Sequence, residues 1–182
     1  MLANTKRSYG WVTIGIHWIT ALAVIGMFIL GWWMLTLTYY DDWYRLGPWW
    51  HKSIGITLFG LTLFRVIWKM VNPQPAITGS KVERQGAKAG HIMLYLLLLA
   101  VMVSGYMIST ADGSSITVFG WFDIPGLSTG IERQEDIAGD IHWYSALTLI
   151  VIASGHALMA LKHHFINKDN TLRKIISTNP ER

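Results

Sequence analysis

Not one of the 182 residues is cysteine. That absence excludes disulfides, thiolate metal sites, iron–sulfur clusters and the C-x-x-C-H attachment of c-type haem. Charge is scarce as well. Asp, Glu, Lys and Arg make up 14% of the chain, where soluble domains carry about 25%. Hydrophobic residues reach 52%, so a bilayer is the natural solvent. An internal repeat is also missing. Ile-His-Trp occurs at 16–18 and again at 141–143, but the two copies open helices that cross in opposite directions. The net charge of +4 does not point to nucleic acid, because Lys and Arg cluster beside apolar spans rather than on one solvated basic face.

What the chain has is four long apolar stretches, at about 11–37, 48–70, 88–110 and 139–164. Each has at least the roughly 20 residues that a ~30 Å hydrocarbon core requires. The pattern predicts an all-α integral membrane four-helix bundle, with residues 1–182 forming a single membrane domain. The first stretch follows Lys6 and Arg7 but is too long for a signal-peptide core. It ends in Trp32, Trp33, Tyr39 and Tyr40 rather than a small-residue cleavage site. It is therefore expected to remain as a helix.

Orientation follows from the basic residues. Lys6, Arg7, Arg65, Lys69, Lys81, Arg84, Lys88, Lys162, Lys168, Arg173, Lys174 and Arg182 fall on one side of the bilayer. Arg45, Lys52 and Arg133 fall on the other. The positive-inside rule puts both termini in the cytoplasm, the arrangement of a multi-pass membrane protein. Asp41, Asp42, Asp112, Asp123, Glu132, Glu135, Asp136 and Asp140 gather outside. The 111–138 connection is a long outer loop punctuated by Gly113, Pro125, Gly126 and Gly130, with a short amphipathic turn expected over 131–139. Trp43, Tyr44, Trp49 and Trp50 outside, and Trp11 and Trp68 inside, read as interfacial anchors. The last dozen residues are polar and expected to be ragged.

Seven histidines complete the picture. Five of them, His17, His51, His91, His142 and His156, interrupt or open the apolar spans, where ionisable side chains are costly and mark a functional interior. His142 and His156 are close to four helical turns apart, so both leave one face of one helix, about 21 Å apart along its axis. That separation suits two stacked sites and is too long for one metal ion. By depth, His51 and His142 form an outer set, and His17, His91 and His156 an inner set from which depth alone does not select a pair. Facing imidazoles suit the axial positions of a haem iron, although imidazole also binds zinc, copper and nickel. Those metals want three or four donors, and no carboxylate falls near either layer except Asp140. Gly15, Gly55, Gly90, Ala153 and Gly155 would admit a broad macrocycle, or would equally serve ordinary packing between membrane helices. Lys52, Arg65 and Lys162 are candidate partners for haem propionates; interfacial snorkelling is the equal alternative. His163 and His164 stand at the cytoplasmic exit of the fourth span.

These residues together resemble the bacterial cytochrome b561 family of inner-membrane dihaem proteins. The matching pieces are Ile16-His17-Trp18, His51-Lys52-Ser53-Ile54-Gly55, Gly90-His91, Ile141-His142-Trp143 and Gly155-His156-Ala157. The run from Leu161-Lys162-His163-His164-Phe165 to Lys168-Asp169-Asn170 is the most specific. The resemblance implies two non-covalent b-type haems. It assigns His17 and His156 to the cytoplasmic-side haem iron, and His51 and His142 to the outer-side one. That leaves His91, with His163, for a quinone pocket or proton relay.

A haem with both axial positions filled suits electron transfer rather than oxygen chemistry, which needs an open coordination site. The expected function is electron transfer across or within the membrane in exchange with the quinone pool. The resemblance admits oxidation of superoxide by ubiquinone, with an unidentified electron donor at the outer face. Two rivals remain at this stage. One is a haem-containing anchor subunit of a dehydrogenase or hydrogenase; the other is a histidine-based transporter of metal or protons.

Overall fold

The computed structural model describes residues 1–127 and 129–179. Ser128, Pro180, Glu181 and Arg182 lie outside the described residues. Four long helices carry the fold: α1 (Trp11–Met34), α2 (Trp43–Val71), α3 (Lys81–Ser109) and α4 (Gln134–Phe165). All four are long and apolar enough to cross a membrane, and the fold is an all-α membrane bundle. Between α3 and α4 lies a small hairpin, β1 (Ile116–Val118) and β2 (Phe122–Ile124), and after α4 comes the short α5 (Thr171–Lys174).

The distribution of polarity is that of a protein in lipid. Ser53, Ser104, Thr20, Thr62 and Thr110 are buried, while Leu22, Ile29, Val151 and Leu158 are exposed. Helices in a bilayer gain nothing by burying leucine against leucine, so small and hydroxylated residues collect where helices meet.

Three helices begin earlier than the hydrophobic pattern suggests, each for a local reason. α2 starts at Trp43 rather than near Pro48. The Asp41 carboxylate accepts from the Thr38 backbone N–H and hydroxyl, both at 2.7 Å, and the Tyr44 N–H donates to the Asp41 carbonyl. Pro48 then falls in the second turn, where its missing N–H leaves the Tyr44 carbonyl without its usual helical donor. α3 starts at Lys81 rather than near Lys88 because Ser80 and Glu83 form a reciprocal capping box. The Ser80 N–H donates to the Glu83 carboxylate at 2.9 Å, and the Glu83 N–H donates to Ser80 Oγ at 3.3 Å. α4 starts at Gln134, whose side-chain oxygen accepts from the N–H and hydroxyl of Thr129. Its amide donates to the Met107 carbonyl at 3.0 Å. The expected turn over 131–139 is thus largely the first turns of α4.

The chain divides into two compact units. The first comprises Met1–Leu22, Leu61–Tyr95 and Val151–Arg182, and the second Ala23–Gly60 and Leu96–Ile150. Each takes a stretch from all four long helices. In the first unit the described part of the tail is folded down rather than ragged. Lys174 Nζ donates to the Ala76 carbonyl at 2.9 Å, Thr171 bonds Thr78, and the Trp18 indole donates to the Ile175 carbonyl. Burial by itself would raise the Asp169 carboxyl, but hydrogen bonds from Thr171 and His163 hold it below the ordinary value.

In the second unit β1 and β2 pair antiparallel, with Thr117 opposite Asp123. The turn needs positive φ at Phe119 and Gly120 (50° and 74°) and closes with the Trp121 N–H on the Val118 carbonyl. The Phe119 N–H donates to the fully buried Ser53 hydroxyl at 3.0 Å, and the Phe119 ring meets those of Trp49 and Trp50. The hairpin is therefore pinned onto the start of α2, two residues from His51.

Candidate haem sites

The first unit brings His17 of α1, His91 of α3 and His156 of α4 together. The His17 and His156 ring centres are 6.4 Å apart with planes at 65°, and those of His91 and His156 are 5.2 Å apart. α2 adds Arg65, whose guanidinium lies 2.9 Å from His17 Nδ1. Guanidinium can only donate, so in this arrangement His17 Nδ1 accepts and the ring proton sits on Nε2. α1 and α2 are further tied by the Trp68 indole donating to the Thr13 hydroxyl at 3.1 Å.

The second unit brings His51 of α2 against His142 of α4, with ring centres 6.1 Å apart and planes at 67°. His142 Nδ1 donates to the Val101 carbonyl at 2.9 Å, with the Ser104 hydroxyl nearby. A histidine that gives its Nδ1 proton to a backbone carbonyl presents an Nε2 lone pair, the arrangement that orients metal-bound imidazoles. His51 Nδ1 is buried and has no partner among the described residues. Glycines make room for both rings. A Cβ at Gly31 would lie 3.2 Å from His51 Cε1, and one at Gly105 would lie 3.0 Å from His142 Cε1.

The spacings test the fit to an axially ligated metal. Two imidazoles on opposite sides of one metal ion, each bonded at about 2 Å, have ring centres roughly 6 Å apart. The His17–His156 and His51–His142 pairs meet that spacing with nearly the same interplanar angle, whereas His91 stands too close to His156. Among the described residues no three His, Asp or Glu side chains converge on a common metal position. The donor set therefore suits a group that brings its own equatorial ligands, as a porphyrin does.

A family model described as prokaryotic cytochrome b561 matches residues 8–178. The chain belongs to that family. Cytochrome b561 homolog 2 of Escherichia coli K12 is 48% identical, over 95% of this chain and 93% of the relative. A Yersinia pestis protein named "Probable superoxide oxidase CybB" is 30% identical, over 93% of this chain and 96% of its own length. Cytochrome b561 homolog 1 of E. coli K12 is also 30% identical, over 90% and 93%. Membership makes this a bacterial membrane cytochrome of electron transfer and implies binding of haem b.

The other residues singled out in the sequence fall in different places. Lys162 is in an ion pair with Glu83 at 2.9 Å, so its charge already has a carboxylate partner. Lys52 acts electrostatically on Asp112, whose carboxyl is held down mainly by hydrogen bonds from Ser114. His163 is buried against Asp169 at 2.6 Å, with Asn167 at 3.3 Å. Its evident work is to fasten the tail. Gly31, Gly105, Ser104 and the Val101 carbonyl were not legible as site residues, because a helical glycine facing a ring looks in sequence like any packing glycine.

Proposed function

We propose that the chain is a dihaem b-type cytochrome, with both termini cytoplasmic, that moves electrons through the membrane in exchange with the quinone pool. The observation that carries this reading is the pair of histidine couples at 6.4 and 6.1 Å with matching angles. His17 and His156 would hold the cytoplasmic-side haem, and His51 and His142 the outer one. When bound, haem would supply one-electron chemistry. The protein's own part is to orient the rings: the Val101 carbonyl fixes the His142 tautomer, and Gly31 and Gly105 let His51 and His142 lie against neighbouring helices. His91, beside the inner couple and unused as a ligand, is the group placed to meet quinone or carry its proton. The name of the Yersinia pestis relative supports superoxide as electron donor; arrival of the donor at the outer face and ubiquinone as acceptor belong to our reading.

The test is haem content. Purified protein should hold two haems per chain, both extractable by acidic solvent because no cysteine tethers them. His51→Ala and His142→Ala should each remove the same haem, and the double variant should match either single one. One haem per chain, or loss of different haems from the two substitutions, would refute the pairing.

A further inference from the structure

Arg65 and Lys69 are one turn apart on α2 and leave the same face. Both stand over one aromatic ring of α3: the Arg65 guanidinium is 5.6 Å and the Lys69 ammonium 5.2 Å from the centre of Tyr95. The ion pairs among the described residues are Arg133–Asp136, Lys162–Glu83 and His163–Asp169, so neither cation has a carboxylate. Two like charges sharing one ring lack a counter-ion among the described residues. Cation–π attraction offsets only part of their mutual repulsion. The nearest ligand-bearing group is His17, and Arg65 occupies its Nδ1. An Nε2-ligating histidine carries its proton on that very nitrogen.

We propose that Arg65 and Lys69 form a two-cation site for a carboxylate, and that its occupant is a propionate of the haem held by His17 and His156. The assignment rests on the dihaem reading above. Turning Arg65 from His17 Nδ1 to the carboxylate has two effects. It supplies the missing counter-ion, and it lets Nδ1 carry the ring proton so that Nε2 presents its lone pair. Arg65 suits bidentate capture, while Lys69 adds a point charge on a flexible stem. An anionic lipid phosphate at the membrane surface offers the same chemistry, so the test separates the two sources.

Potentiometric titration of the full dihaem protein would be run in nanodiscs of phosphatidylcholine alone and in discs containing phosphatidylglycerol. Arg65→Gln and Lys69→Gln should keep two haems. Each should lower the midpoint potential of the haem that His17→Ala removes, because losing a nearby positive charge disfavours the added electron. Arg65→Lys should restore most of the shift, and the other haem should not move. The shift should be equal in both lipids. Unchanged potentials in haem-replete Lys69→Gln protein, or a shift confined to anionic discs, would overturn the proposal. Lys69→Gln decides the matter even where Arg65→Gln fails to fold. If His17→Ala instead retains both haems, the ligand reading fails, a result distinct from failure of the carboxylate site.

Discussion

On the dihaem reading proposed above, adding one methyl group at Gly105 should separate the two haem sites. A Cβ built there lies 3.0 Å from His142 Cε1 and 3.1 Å from its Nδ1. Carbon atoms rest at about 3.5–4.0 Å, so the ring or the helix must yield by roughly 0.5 Å. The ring is not free to yield, because Nδ1 is held at 2.9 Å by the Val101 carbonyl. Metal–ligand distances tolerate shifts of only about 0.2 Å. Overpacking of this kind costs about 1–3 kcal/mol, which corresponds to a roughly 5- to 150-fold weaker hold on the haem of His51 and His142. Gly105→Ala should therefore lose that haem partly or convert it to high spin, and leave the haem of His17 and His156 intact. Reduced-minus-oxidised spectra with haem quantified per chain would read this directly. Gly60→Ala is the control, since a Cβ there meets nothing within 4 Å and alanine favours the helix. Full low-spin haem content in Gly105→Ala, or equal loss from both sites, would refute the argument.

Two further outcomes follow from single groups. His91→Ala should keep both low-spin haem signals and slow electron exchange with a soluble quinone analogue, measured by stopped-flow oxidation of the reduced protein. Loss of a haem would mean that His91, not His17, is the partner of His156. Asp41 is held below its ordinary value of 3.8 by hydrogen bonds from the Thr38 hydroxyl and backbone. A depressed folded value stabilises the protein above pH 3.8 and is lost as pH falls through that lower value. Asp41→Asn should accordingly lower Tm at neutral pH, with the difference closing in acid; a difference constant down to pH 2 would contradict this.

Composition and periodicity alone were enough to establish the class of this protein. No cysteine, little charge and four spans of sufficient length leave few architectures besides a helical membrane bundle, because a bilayer forces every backbone group to bond within its own helix. The grouping of His51 with His142, and of His17 and His91 with His156, followed from the same reasoning, since rise per residue places each histidine along its helix. Helix ends were read less well. Trp43, Lys81 and Gln134 begin their helices through side-chain bonds of Asp41, Ser80 with Glu83, and Thr129, polar signals that a search for apolar runs passes over. Lateral relations were out of reach. That His156 faces His17 at a metal-spanning distance but His91 at a shorter one depends on helix rotation, which periodicity does not specify. The same holds for Arg65 lying on His17 and Lys69 sharing Tyr95, and for Lys162 and His163, which tertiary packing turned toward Glu83 and Asp169. Sequence sets where along its helix a residue stands; only the packing of the helices decides what it faces there.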